Sequence, residues 1–202
     1  MLHHAGSNKV VVLCHGFAAC KDDSIMIDLA AALTKQGISA FRFDFSGNGP
    51  VISYLYQEKY DVTAIVGHSK GGSVVVLYAS IYGDAHMVVN LSGQFYLEKG
   101  IEECLGKEFM DRINKEGYID VMNESASLSI SKECRFFTVH GSADKIIPVE
   151  DAYEFARLVT NHKLHVIKRA NHGYTSHRKQ LCDAVINCIT SNEEIEEDWE
   201  GI

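Results

Sequence analysis

One stretch, Asp61 to Tyr82, constrains this chain most. A short β-branched run, Val62 to Val66, stops at Gly67-His68-Ser69-Lys70-Gly71, and a longer apolar run, Ser73 to Tyr82, follows. This is the G-x-S-x-G pattern, in which a serine sits on a sharp strand-to-helix turn. The spacing has a steric reason. A serine that projects its hydroxyl above a sheet takes up a strained backbone, and glycines two before and two after let neighbouring chain pass close to it. The helix behind such a serine points its first N–H groups at the place where negative charge gathers during acyl transfer. Propensity alone reads Val-rich Ser73–Tyr82 as a strand. It is assigned here as a helix, because Ser69 needs one behind it and a parallel sheet needs a crossover before the next strand, His86–Leu91. The plainer alternative is a Gly-rich connector in an α/β domain.

The remaining elements alternate in kind. Lys9–Cys14 is a continuous Val/Leu run, the mark of a strand buried on both faces. Ser24–Gln36 carries apolar residues at helical spacing and is stopped by Gly37. Ile38–Phe45 is a strand, the loop from Ser46 through Gly49 a turn, and Pro50–Gln57 a short helix. After His86–Leu91, Gln94–Gly117 places Ile101, Leu105, Phe109 and Ile113 at four-residue steps, one amphipathic face. Tyr118–Lys132 is irregular. Cys134–His140 and Leu164–Lys168 are strands, and Val149–Thr160 and Gln180–Thr190 are helices. The alternation predicts an α/β fold around a mostly parallel central sheet of about six strands, with helices on both faces. No internal repeat or second domain boundary interrupts it, so residues 1–191 are expected to form a single domain.

At 202 residues the chain can bury a substantial core. Net charge is -8, but residues 192–202 hold six acids and no base, which leaves the rest at only -2. That balance argues against nucleic acid or an anionic membrane as partner, and the acidic tail 192–202 is expected to be solvated. No eighteen-residue apolar run is present, so no spanning helix is expected. The start of the chain lacks a signal-peptide core, and six cysteines (Cys14, Cys20, Cys104, Cys134, Cys182, Cys188) lack C-x-x-C spacing. The expectation is a cytoplasmic protein with buried, reduced thiols.

A serine nucleophile needs a base within reach and a carboxylate to orient that base. In open α/β sheets such groups sit just past the carboxyl ends of strands. Asp144 lies four residues after His140, and His172 four after Lys168. The order Ser69, Asp144, His172 is one of the known chain orders of a Ser-His-Asp set. Rivals exist for each partner. Glu150 and Asp151 fall at a helix start, where carboxylates meet free N–H groups. His68 adjoins Ser69 and His140 ends a strand. His172 and His177 lack the H-E-x-x-H frame of a zinc site, and Gly47-Asn48-Gly49 lacks a dinucleotide fingerprint, so neither metal nor cofactor is expected.

Taken together, His15-Gly16-Phe17, Asp44 through Gly49, Gly67 through Gly72, His140 through Pro148 and Asn171-His172 resemble the α/β-hydrolase superfamily. They are close to its serine aminopeptidase-like and cinnamoyl (feruloyl) esterase-like branch, near plant members. The resemblance implies an α/β-hydrolase fold with a short cap insertion at about 94–133. It implies Ser69 as nucleophile, Asp144 as orienting acid and His172 as base. The backbone N–H groups of Phe17 and Lys70 would form the oxyanion hole, with His15, Gly16, Gly67 and Gly71 as structural support. The implied activity is hydrolysis of small esters or related acyl compounds without a cofactor. Alternatives are a non-catalytic scaffold of the same fold, or a serine peptidase or thioesterase. The pattern departs from the family in lacking two strands before Lys9, in a short Ser46–Asp61 crossover and in a shortened cap. It therefore looks like a shortened relative in which Ile38–Phe45 would be an exposed sheet edge. Oligomeric state is left open.

Overall fold

The computed structural model describes residues 1–45, 51–96 and 129–191. Most of the expected cap insertion, the acidic tail, the turn at Gly47-Asn48-Gly49 and Cys104 lie outside the described residues. In chain order the elements are β1 (Leu2–His3), β2 (Lys9–Cys14), α1 (Ser24–Lys35), β3 (Ser39–Arg42), α2 (Val51–Gln57) and β4 (Asp61–His68). There follow α3 (Lys70–Tyr82), β5 (Met87–Leu91), β6 (Arg135–Gly141), α4 (Val149–Leu158), β7 (His162–Ile167) and α5 (Arg178–Thr190). The strands form one seven-stranded sheet in the order β1-β3-β2-β4-β5-β6-β7. Every pairing is parallel except that of β1 with β3.

Helices cover both faces, which is why the central strands read as near-continuous apolar runs. On one face Val11, Leu13, Val66, Val89 and Leu91 pack with Met26, Leu29 and Leu33 of α1 and Leu181 and Val185 of α5. On the other, Val10, Val12, Ile65, Val88 and Phe136 pack with Leu55 of α2, Val75, Val76 and Ala79 of α3, and Phe155 of α4. The β2–β4 register shifts between Val10 and Val11, so that Val10 faces Val62 while Val11 faces Ala64. Thr63 is the extra residue of this bulge. It allows Val62 and Ile65, which differ in parity, to reach the same core.

Three sequence expectations need correction. The sheet has a seventh strand, because β1 pairs antiparallel with β3 through Leu2–Phe41 and His3–Ala40. The β3 segment is therefore not the exposed edge. Buried Arg42 secures that corner: its guanidinium donates to His3 Nε2 at 3.0 Å, to Asp22 at 3.1 Å and to the Lys21 carbonyl, while the Met1 ammonium donates to the Arg42 carbonyl at 2.6 Å. Second, β3 ends at Arg42, and the chain continues as a trail of rings, Phe41, Phe43, Phe45 and His15, with successive centroids 6.2, 5.3 and 4.7 Å apart. Third, Cys20 is exposed and Cys182 and Cys188 are half-buried, whereas Cys14 and Cys134 are buried as expected. Burial pushes the Cys14 thiol up to about 12 and that of Cys134 up to about 11, which keeps both as protonated, inert core groups. No helix among the described residues is long and apolar enough to cross a membrane.

Candidate active site

The loops that follow β2, β4, β6 and β7 meet at the carboxyl edge of the sheet, the place where open α/β sheets carry their ligands. Ser69 stands between β4 and α3 with φ 55 and ψ -119. This is a sparsely populated region for a residue with a side chain, and holding it costs about 1–3 kcal/mol. The surrounding backbone leaves no slack. A Cβ on Gly67 would lie 2.0 Å from the Gly71 carbonyl oxygen, and one on Gly71 would lie 2.3 Å from that of Cys14. Only glycine at both positions lets β4 turn into α3 beneath β2. The turn is anchored from the Ser69 N–H, which donates to the Leu91 carbonyl at 2.9 Å, and from its carbonyl, which accepts the Ser73 N–H at 3.2 Å.

Asp144 is held from three directions. Its Oδ1 accepts the backbone N–H groups of Ile146 at 2.9 Å and Ile147 at 3.0 Å. Its Oδ2 accepts Nδ1–H of His172 at 2.7 Å. Burial opposes the charge, but the His172 bond and the two backbone N–H groups outweigh it and hold the carboxyl below its ordinary range. With Nδ1 donating, the His172 tautomer leaves the Nε2 lone pair free, the form a general base requires. The two loops are also stitched to each other. Ser142 N–H donates to Ile167 and Ala143 N–H to Ala170, both at 3.0 Å, and a Cβ on Gly141 would lie 2.3 Å from the Ala170 oxygen.

His172 lies against the elbow through His68. The two ring centroids are 4.9 Å apart, and His68 Nε2–H donates to the His172 carbonyl at 2.9 Å. Among the described residues no hydrogen bond joins the Ser69 hydroxyl to the His172 imidazole. The loop bearing Phe17 reaches the same spot, since a Cβ on Gly16 would lie 3.4 Å from Ser69 Cβ. His15 fixes that loop: its Nδ1–H donates to the Gly16 carbonyl at 2.8 Å, and its Nε2 accepts Phe45 N–H at 3.4 Å. Lys70 sits at the first position of α3, where an N–H precedes the helix's own ladder. Its ammonium rests 5.4 Å from the centroid of the exposed Phe17 ring.

Asp151 and His140 have other partners. Asp151 accepts Phe95 N–H at 2.8 Å and so secures the chain after β5. His140 is fully buried, donates from Nε2 to Ile147 at 3.0 Å and stands 3.5 Å from Asp144. No set of three or more ligating side chains among the described residues could hold a metal ion. Two contributors went unread in the sequence, Gly141 and Arg178, whose guanidinium donates to Gly173, Asp28 and Ser24, and His68 was read there only as a rival base. For Gly141 a signal existed, a glycine ending an apolar strand run.

No family model matches the chain, and no curated protein matches it. Solved structures do. Est1E from Butyrivibrio proteoclasticus is similar at 20% identity and a TM-score of 0.71, covering 91% of this chain and 89% of that one. The Pyrococcus furiosus esterase Pf2001 reaches a TM-score of 0.72 at 19% identity over 92% of this chain and 82% of its own. The fold is that of the α/β-hydrolases. An α/β serine hydrolase homologue from Coxiella burnetii agrees, with a TM-score of 0.72 at 15% identity over 93% of this chain and 89% of that one.

Proposed function

We propose that this chain is a serine hydrolase that cleaves small ester or related acyl substrates through an acyl-enzyme. One observation carries the proposal: a serine in left-handed backbone on the elbow, with an Asp144–His172 pair bonded at 2.7 Å alongside it. In the reaction His172 Nε2 takes the Ser69 hydroxyl proton as Oγ attacks the substrate carbonyl. The Phe17 and Lys70 N–H groups stabilise the resulting oxyanion. Collapse of the tetrahedral intermediate expels the alcohol, which receives the proton from His172. Water then attacks the acyl-enzyme by the same proton route, releasing the acid and restoring Ser69. Asp144 keeps the imidazole in the Nδ1–H tautomer and offsets the charge it gains. No cofactor or metal takes part.

The scaffold alternative draws support from the missing Ser69–His172 hydrogen bond among the described residues. Fluorophosphonate labelling separates the two. An enzyme labels at Ser69, and Ser69→Ala abolishes the label; a folded wild-type protein that takes up no probe is a scaffold. For substrate class, the resemblance to the feruloyl esterase-like branch and the similarity to Est1E, which has been solved with ferulic acid bound, support aromatic acyl esters. A panel of p-nitrophenyl and feruloyl esters, acyl-CoA thioesters and aminoacyl amides ranks ester against thioesterase and peptidase activity.

A further inference from the structure

His68 touches both the elbow and the loop of the base. It precedes Ser69 directly, and its ring fills the space between two loops. On one side its Nδ1 lies 3.5 Å from where a Cβ on Gly16 would stand. On the other side Nε2 donates to the His172 carbonyl at 2.9 Å, across 104 residues of chain. The edge of Tyr174 closes the third side, with ring centroids 6.2 Å apart. We infer, on the basis of the hydrolase function proposed above, that His68 is a positioning residue which clamps the His172 backbone and so sets where its imidazole meets Ser69.

Three consecutive residues of the base loop are pinned by three different parts of the fold. His172 is held by His68. Gly173 accepts from Arg178 Nε at 2.9 Å, and the same guanidinium reaches α1 through Asp28 at 3.0 Å and Ser24 at 2.6 Å. Tyr174 is buried, and its hydroxyl donates to the Val139 carbonyl at 2.9 Å while sitting 2.7 Å from Ser92 Oγ. Of these anchors only His68 belongs to the elbow. Because His68 and Ser69 are neighbours, a shift of the elbow carries nucleophile and base together, which preserves their separation. The chemistry of the clamp also suits its place. Burial and the neighbouring His172 push the His68 imidazole down to about 4, so at neutral pH it donates a hydrogen bond without carrying charge. A lysine or arginine there would donate equally well but would oppose the positive charge that His172 acquires in the reaction.

Glutamine and asparagine variants test this. The amide nitrogen of glutamine overlays imidazole Nε2, whereas that of asparagine overlays Nδ1 and falls short of the His172 carbonyl. Both are polar and both lack a titrating group. With wild-type protein, His68→Gln and His68→Asn, the expected result is a kcat (on a p-nitrophenyl ester) reduced on the order of 10²-fold in His68→Asn. KM should stay near wild type, and His68→Gln should recover most of the loss. A parallel readout needs no turnover: the low-field proton of the His172 Nδ1–H···Asp144 bond, followed by proton NMR, should persist in His68→Gln and shift or broaden in His68→Asn. Equal kcat and equal NMR signals in folded Asn and Gln variants would overturn the inference. A wild-type protein inert to ester and probe would instead overturn the hydrolase function, and the NMR comparison would still decide whether His68 holds the loop.

Discussion

Asp144 shows what a single residue must satisfy here. A buried carboxylate is costly unless its lone pairs are met, and three are: two by the N–H groups of Ile146 and Ile147 and one by His172. Since its folded pKa lies below the ordinary value, the stability it contributes is present above the ordinary carboxyl range. It is lost only as pH falls through the depressed folded value. Asp144→Asn keeps the shape but cannot accept the Nδ1 proton with the same strength, and its amide favours the opposite imidazole tautomer. The expected outcome is a fall in kcat/KM of about 10³- to 10⁴-fold, measured on the same ester, with a lower thermal midpoint at neutral pH because the stabilising charge is gone. A variant retaining a tenth of wild-type activity would remove Asp144 from the mechanism.

At the scale of elements, the elbow is where local preference and tertiary demand part company. α3 contains Val74, Val75 and Val76, which favour strands, yet it is helical because Val75, Val76 and Ala79 fall on one face against the sheet. Burial of that face outweighs a few tenths of a kcal/mol per residue of helix propensity. Gly83 ends the helix in left-handed backbone, its N–H donating to Ala79. The tightest crossing is Gly71 under β2. A methyl there must push aside the Cys14 carbonyl, 2.3 Å away, so Gly71→Ala should lose roughly 1–3 kcal/mol, as overpacking does. Urea unfolding would show this as a lower midpoint at constant slope, with probe labelling of Ser69 lost in parallel. An unchanged midpoint would mean that the elbow relaxes far more easily than its packing implies.

At the scale of the whole molecule, the buried imidazoles of His68 and His140 and the half-buried one of His162 tilt the response to acid among the described residues. Burial pushes His68 and His162 down to about 4 and lowers His140 as well. Between those values and the ordinary 6.5 the unfolded chain binds protons that the folded protein refuses, so stability rises with pH across that window. For a single fully buried imidazole the slope is at most about 1.4 kcal/mol per pH unit. Urea midpoints at pH 7, 5.5 and 4.5 should therefore fall in that order, and His162→Gln should flatten the trend; a flat profile would contradict it. Much of this architecture was legible in the sequence because it is written locally. The apolar run of β2, the Gly-Ser-Gly spacing of the elbow, and the places of Asp144 and His172 just past strand ends each follow from a few adjacent residues. β1 was not legible, since two residues carry no period and Leu2–His3 becomes a strand only by pairing with β3. Nor was the partner of His68, because a hydrogen bond spanning 104 residues leaves no trace in either segment. The sequence by itself determined which side chains stand at the carboxyl edge of the sheet, because hydrophobic period and turn chemistry act over a few residues. Only the tertiary structure decided how they are held there, because the clamps on the base loop come from strands and helices that meet only once the sheet has closed around its two cores.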